Sequence, residues 1–204
     1  MKFFSTLIGS FAALLFAGCE RGTESSPPAV ERDRTPSAEE IQHVQATGQA
    51  AAKVLMESLG GQLKGALQTG GPVKAIEICQ QTAIPLTSSV GVNLDGVIVS
   101  RKTLKPRNPA NSPDEMDRAV LEKMSKAVMT PGSPPQPMIE WQADVARFYH
   151  PLMIQEVCLN CHGDPTLFSP ELNDALAKAY PQDQATGYAL GDFRGVIRVD
   201  IERP

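Results

Sequence analysis

The chain has 204 residues, 42% of them hydrophobic, enough for one ordinary domain with a real core. Its formal net charge of −4 excludes a nucleic-acid binder, which needs a basic stripe, and the local cluster Arg101, Lys102, Lys105 and Arg107 is too small to supply one. A charged fraction of 21% with 5% aromatics fits neither a disordered chain nor a membrane bundle.

Residues 1–18 read as an address: Met1-Lys2 is a short positive start, Phe3 to Phe16 is almost wholly apolar, and Ala17-Gly18-Cys19 ends in small residues before a cysteine. The apolar run is too short to span a bilayer and suits a signal peptide. The ending resembles the lipobox of bacterial lipoproteins, with Phe16 where leucine is usual. The resemblance implies cleavage before Cys19, acylation of its thiol and a membrane anchor. Glu20, not Asp, then favours periplasmic exposure on the outer membrane over the inner. Residues 19–36, rich in Ser, Pro, Glu and Arg, read as a flexible tether.

The folded domain is expected over residues 37–204. Ser37-Ala-Glu-Glu40 has the form of a capping box. Ile41, Val44, Gly48, Ala51, Leu55, Leu59, Leu63 and Leu67 come next at helical spacing until Gly70-Gly71 ends the run. Pro72 opens a second helix in which Ile76, Cys79 and Ala83 share a face, and Pro85 restricts the helix beyond it. Val97 to Arg101 predicts a strand, and Leu104 to Ser112 a Pro- and Asn-rich loop. Ser112-Pro113-Asp114-Glu115 starts a helix carrying Met116, Val120, Met124 and Ala127. Pro131 to Pro137 is a loop. Ile139 to Tyr149 suits one or two strands, with Trp141 placed to line a pocket. Ser169-Pro170-Glu171 starts a short helix reaching Tyr180, and Val196 to Ile201 alternates as a strand with Ile197, Val199 and Ile201 on one face. Helices followed by strands separated by helices predict an α+β domain with an antiparallel sheet.

Four cysteines invite two disulfides, yet their spacing points elsewhere. Cys158-Leu-Asn-Cys161-His162 is the C-x-x-C-H of covalent haem attachment: two thiols three residues apart reach two vinyl groups on one porphyrin edge, and the adjacent imidazole falls beneath the iron. A zinc site would need a second ligand pair, and the sequence has no other C-x-x-C and no H-x-x-x-H. A redox disulfide would sit in a βαβ unit, which does not surround Cys158. One covalent haem c is therefore expected. Cys79 is left over, either as an inert core thiol or as the second axial ligand. His43, His150, Met116, Met124 and Met153 compete for that role. Arg101, Lys105 and Arg107 are candidates to pair with the haem propionates or to form a solvated basic face.

Several segments together carry a family resemblance: Arg101 to Pro109, Asn111-Ser-Pro-Asp114, Cys158-Leu-Asn-Cys-His-Gly-Asp-Pro165, Tyr180 to Tyr188, and Gly191-Asp-Phe-Arg-Gly195. Over residues 38–204 the chain resembles the bacterial single-haem family long labelled a domain of unknown function. The resemblance implies a PAS-like antiparallel sheet flanked by helices, with long N-terminal helices. It also implies haem held by Cys158, Cys161 and His162, with the opposite ligand from an N-terminal helix in a Cys-x-x-x-Ala-Pro pattern. Cys79-Gln-Gln-Thr-Ala83-Ile84-Pro85 matches with the proline displaced by one. Asp183, Tyr188, Asp192 and Arg194 are motif residues whose role is open between chemistry and turn geometry.

Three functions are consistent with these residues. The first is an extracytoplasmic redox protein passing single electrons to a partner. The second is a redox or gas sensor that signals to a partner by ligand exchange at Cys79. The third, with least support, is a peroxidase-like enzyme, for which no acid–base pair stands out.

Overall fold

The computed structural model describes residues 35–92, 94, 96–128 and 135–203. The expected leader, Cys19, and all but the last two residues of the expected tether lie outside them. The described residues form an α+β domain in the order α1 (Ala38–Val92), β1 (Val97–Lys102), α2 (Glu115–Val128), β2 (Met138–Trp141), β3 (Val145–Met153), α3 (Leu159–His162), α4 (Pro170–Ala179) and β4 (Phe193–Glu202). The four strands make one antiparallel sheet in the order β1-β4-β3-β2. The sheet is antiparallel and flanked by helices, with a long N-terminal helix, as the resemblance implied.

Helix α1 begins at the predicted capping box: Glu40 N donates to Ser37 Oγ at 3.1 Å, and Ser37 N donates to Glu40 Oε2 at 3.4 Å. Glu40 also meets Arg203, Nε to Oε1 at 2.8 Å, which ties the start of α1 to the residue after β4. The predicted break falls at Gly70 and Gly71, whose backbone is not helical; Gly71 has φ +67°, a region where glycine carries no Cβ penalty. Beyond it the helix runs through Pro85 to Val92, further than the proline suggested. Pro85 and Gln81, four residues before it, are both exposed, so the carbonyl that loses its partner is open to water.

The sheet separates two cores. On one face Val44, Ala51, Ala52, Leu55 and Val90 of α1 pack on Val97, Val99, Ala146, Phe148, Ile197, Val199 and Ile201. The β4 alternation therefore matches the sequence pattern. On the other face Val120, Leu121 and Met124 of α2 cover Tyr149 and Val196. Asp114 rather than Ser112 caps α2, accepting from Asp117 N at 2.8 Å while Asp114 N donates back to Asp117 Oδ2 at 3.1 Å. A third cluster, Ile76, Cys161, Leu172 and Leu176, joins the second half of α1 to α3 and α4. That cluster brings residue 79 and residues 158–162 to one place. No described helix is long and apolar enough to cross a membrane.

Candidate functional site

A cleft of about 1050 Å³, part of it open to solvent, lies where α1 meets the C-x-x-C-H segment. The α1 side supplies Leu59, Gly60, Leu63, Leu67, Ala75, Ile76, Cys79, Ala83 and Ile84. The facing residues are Val157, Cys158, Cys161 and His162, with Arg101, Arg107, Asn108, Asn111, Tyr180 and Arg194 around them. The largely apolar lining is typical of cofactor pockets. Cys79, Cys158, Cys161 and His162 are thus all brought to one cavity, though Cys79 is far from the other three in sequence.

The C-x-x-C-H motif sits on a short 3₁₀ turn, Glu156–Cys158, continued by α3. One helical turn places Cys158 and Cys161 on the same side, and His162 comes immediately after. His162 is fixed by the chain 23 residues further on. Its Nδ1 lies 2.6 Å from Ala185 O, and Tyr188 N donates to His162 O at 2.9 Å. The ring also meets Tyr188 edge-on, with centroids 6.2 Å apart and planes at 86°. Burial, aided by the Arg107 and Arg194 cations, pushes the His162 pKa down to about 3. The neutral ring donates from Nδ1, which leaves Nε2 unprotonated and able to bind a metal. Burial raises the Cys79 thiol, opposed by Arg101 and Arg107, and it raises Cys161 as well.

The cations divide in a way the sequence did not show. Arg107 is buried, and its Nε donates to Asp183 Oδ2 at 3.0 Å while Nη2 donates to Cys161 O at 2.5 Å and Ala185 O at 3.2 Å. Lys105 does not line the cleft; its Nζ donates to Thr186 O at 2.7 Å and lies 4.3 Å from the Tyr188 ring centre. Lys105 therefore lies off the cleft with a protein partner, whereas Arg107 lines the cleft while its Nε and Nη2 are held by protein acceptors, so it is not part of a solvated face. Arg101 and Arg194 line the cleft too, and Arg101 Nε is buried without a partner. Arg194 spends Nη1 on Thr103 Oγ1 and Lys105 O, at 2.9 and 3.2 Å.

Trp141 does not line the cleft. It sits on β2, at the sheet edge opposite β1, packs against the α1 core cluster and faces Arg203, whose guanidinium carbon lies 5.2 Å from the ring centre. The competing ligands are elsewhere too. His43 is exposed, His150 sits on β3 opposite Ile197, and Met116 accepts from Gln142. Met124 is in the α2 core, and Met153 ends β3; neither lines the cleft. Sequence reasoning missed Tyr180, Asn108 and Asn111 as lining residues, and it missed Ala185 entirely. No side-chain pattern could reveal Ala185, because it acts through its carbonyl.

The lining suits a haem. Two thiols and an imidazole stand together, a third thiol stands among the α1 residues, and most of the rest is apolar. The orphaned Arg101 Nε is a donor in want of an acceptor, which a porphyrin carboxylate would supply.

The model of the Tll0287-like family matches residues 29–202. The chain belongs to this family. Among solved structures it is similar to the crystal structure of the cyanobacterial haem protein Tll0287, with a TM-score of 0.57 and 20% identity, covering 83% of this chain and 98% of that one. At that identity the likeness speaks for the fold. No curated protein matches the sequence significantly.

Proposed function

We infer that this protein is a c-type haem protein that exchanges single electrons outside the cytoplasm. The observation that carries the reading is the meeting of Cys79, Cys158, Cys161 and His162 in one apolar cleft, with Arg101 and Arg194 at the same cavity. Membership of a family that includes a haem protein supports it. Cys158 and Cys161 would hold the group covalently, each through a thioether bond to one vinyl side chain. His162, through Nε2, and Cys79 would hold the iron. Arg101 and Arg194 would pair with the carboxylates. When bound, the haem supplies reversible one-electron chemistry at iron.

The chain's residues set the terms of that chemistry. A coordinating Cys79 is a thiolate, whose electron donation favours the ferric state and a low reduction potential. Leu59, Leu63, Leu67 and Ile76 keep water from the α1 side, and the Arg101 and Arg194 cations pull the potential back up. The lipobox-like ending at Cys19 completes the reading as a periplasmic lipoprotein; loss of palmitate labelling in Cys19→Ala would test it.

A second reading, a sensor acting through ligand exchange, is favoured by one observation. Cys79 is carried by the part of α1 beyond the Gly70-Gly71 break, where the helical backbone is interrupted.

The test is an electron paramagnetic resonance spectrum of the ferric protein beside Cys79→Ser. The expected result is a low-spin signal with the narrow g-spread of thiolate ligation, lost in the variant. A signal unchanged by the substitution would make Cys79 a core residue. Appearance of carbon monoxide binding only after reduction would put the sensor ahead of the carrier.

A further inference from the structure

Arg107 links three separate segments through one planar group. Besides its bond to Asp183, it reaches the carbonyls of Cys161 and Ala185. Asp183 is in turn bonded back to the same place, its Oδ1 accepting from Ala185 N at 2.8 Å. Arg107, Asp183 and Ala185 therefore form a closed ring of hydrogen bonds: guanidinium to carboxylate, carboxylate to amide, carbonyl to guanidinium. The ring fixes the direction of the Ala185 carbonyl, and that oxygen is the one His162 Nδ1 meets. The fourth contact, to Cys161 O, fastens the attachment segment to the same guanidinium.

We propose that Arg107 is a positioning residue for His162: it aims the Ala185 carbonyl so that the imidazole keeps its proton on Nδ1 and offers Nε2 to the cleft. The inference rests on reading His162 as the iron ligand. The geometry requires arginine. A lysine is a point charge on a flexible stem and cannot hold three acceptors in one plane. The positive charge of Arg107 beside the site also favours the reduced state, so losing it lowers the reduction potential.

The experiment uses the full-length, exported, haem-loaded protein and three variants: Arg107→Lys, Arg107→Met and Asp183→Asn. Haem content per chain is measured first, then solvent exchange of the His162 Nδ1 proton by nuclear magnetic resonance, then the reduction potential. Arg107→Lys and Asp183→Asn are expected to retain haem, with Nδ1 exchange faster by about tenfold or more, equivalent to one charge-assisted hydrogen bond. Arg107→Met adds a lower potential; should it fail to accumulate, the other two carry the test. Exchange within about twofold of the parent in both, at equal haem content, overturns the inference while leaving the haem reading intact. A parent protein without attached haem overturns that reading instead.

Discussion

Nδ1 of His162 lies 2.6 Å from the carbonyl oxygen of Ala185, so the last residue of the C-x-x-C-H motif is oriented by backbone 23 positions later in the chain. The stretch between α4 and β4 is therefore part of the site, although its side chains contribute little of the cleft lining beyond Tyr180. Lys105 reaches Thr186 O, Gln184 N donates to Pro106 O at 3.1 Å, and Gly187 N donates to Gly163 O at 2.8 Å. These bonds stitch the loop after β1, the motif and the 183–188 segment into one support. This also accounts for the grouping of motif segments that carries the family resemblance: residues 101–109, 158–165 and 180–195 touch.

Glycines on α1 should respond to substitution with opposite signs. A Cβ at Gly48 would collide with the ring of Phe148, deep in the α1 core, whereas a Cβ at Gly61 would meet nothing within 4 Å. Gly48→Ala should destabilise by about 1–3 kcal/mol through overpacking. Gly61→Ala should stabilise by up to about 1 kcal/mol from helix propensity alone. Urea unfolding at constant m-value reads both, and a stabilised Gly48→Ala would contradict the packing of α1 on β3.

Gly48 also shows what was legible in the sequence. It falls in the apolar spacing of the first helix, and its burial followed from that periodicity without any knowledge of Phe148. Local signals succeeded generally: the capping box at Ser37, the break at Gly70-Gly71, the strand alternation of β4 and the C-x-x-C-H turn all depend on neighbours within a few residues. Contacts across the fold were illegible. Arg107 looked like part of a basic surface because its partners Cys161, Asp183 and Ala185 are 54 or more residues away. Trp141 looked like a pocket residue because aromatic character says nothing about which sheet edge it occupies.

Acid sensitivity should arise from His150. Burial lowers its pKa, and its Nδ1 is buried without a partner. In the unfolded chain the same ring protonates near pH 6.5. A histidine whose folded pKa is depressed contributes no penalty above the unfolded value. As pH falls below about 6.5 the unfolded state takes up the proton first, and stability declines until the folded pKa is passed. The stability of the parent relative to His150→Gln should therefore be constant above pH 7 and fall towards lower pH. A separation independent of pH from 7.5 to 5 would show that His150 is not held neutral.

Asp117, in the first turn of α2, is fully buried, a position that its acidic neighbours along the chain gave no reason to expect. It accepts from Tyr149 OH at 3.0 Å and from Arg198 Nη1 at 2.9 Å. Asp117→Asn keeps the volume but removes the charge facing Arg198. Breaking a buried pair on one side costs about 3–5 kcal/mol. The low end is expected here, because Asp114 and Asp200 also face Arg198, at 3.3 and 3.0 Å. Denaturant midpoints check the value, and a loss near zero would mean that the neighbouring carboxylates take over completely.

Arg101 should pull stability and function in opposite directions. Burial lowers its pKa, nearby Arg194 adds to the effect, and its buried Nε has no protein partner, so the cation is held at a cost in the folded chain. Replacing a poorly compensated buried charge with an apolar side chain of similar length is commonly stabilising. In a haem-free background made by replacing Cys158 and Cys161 with alanine, Arg101→Met should raise stability by about 1 kcal/mol, the low end because the residue as a whole is only half-buried. In the haem-loaded protein the same substitution should lower the reduction potential, since it removes a positive charge beside the site that Cys79 and His162 share. A gain in the first measurement with no change in the second would mean that Arg101 serves no carboxylate in the cleft. A loss in the first would mean that the side chain already finds water or protein acceptors, and that its position in the cleft reflects packing of the stem rather than a waiting charge.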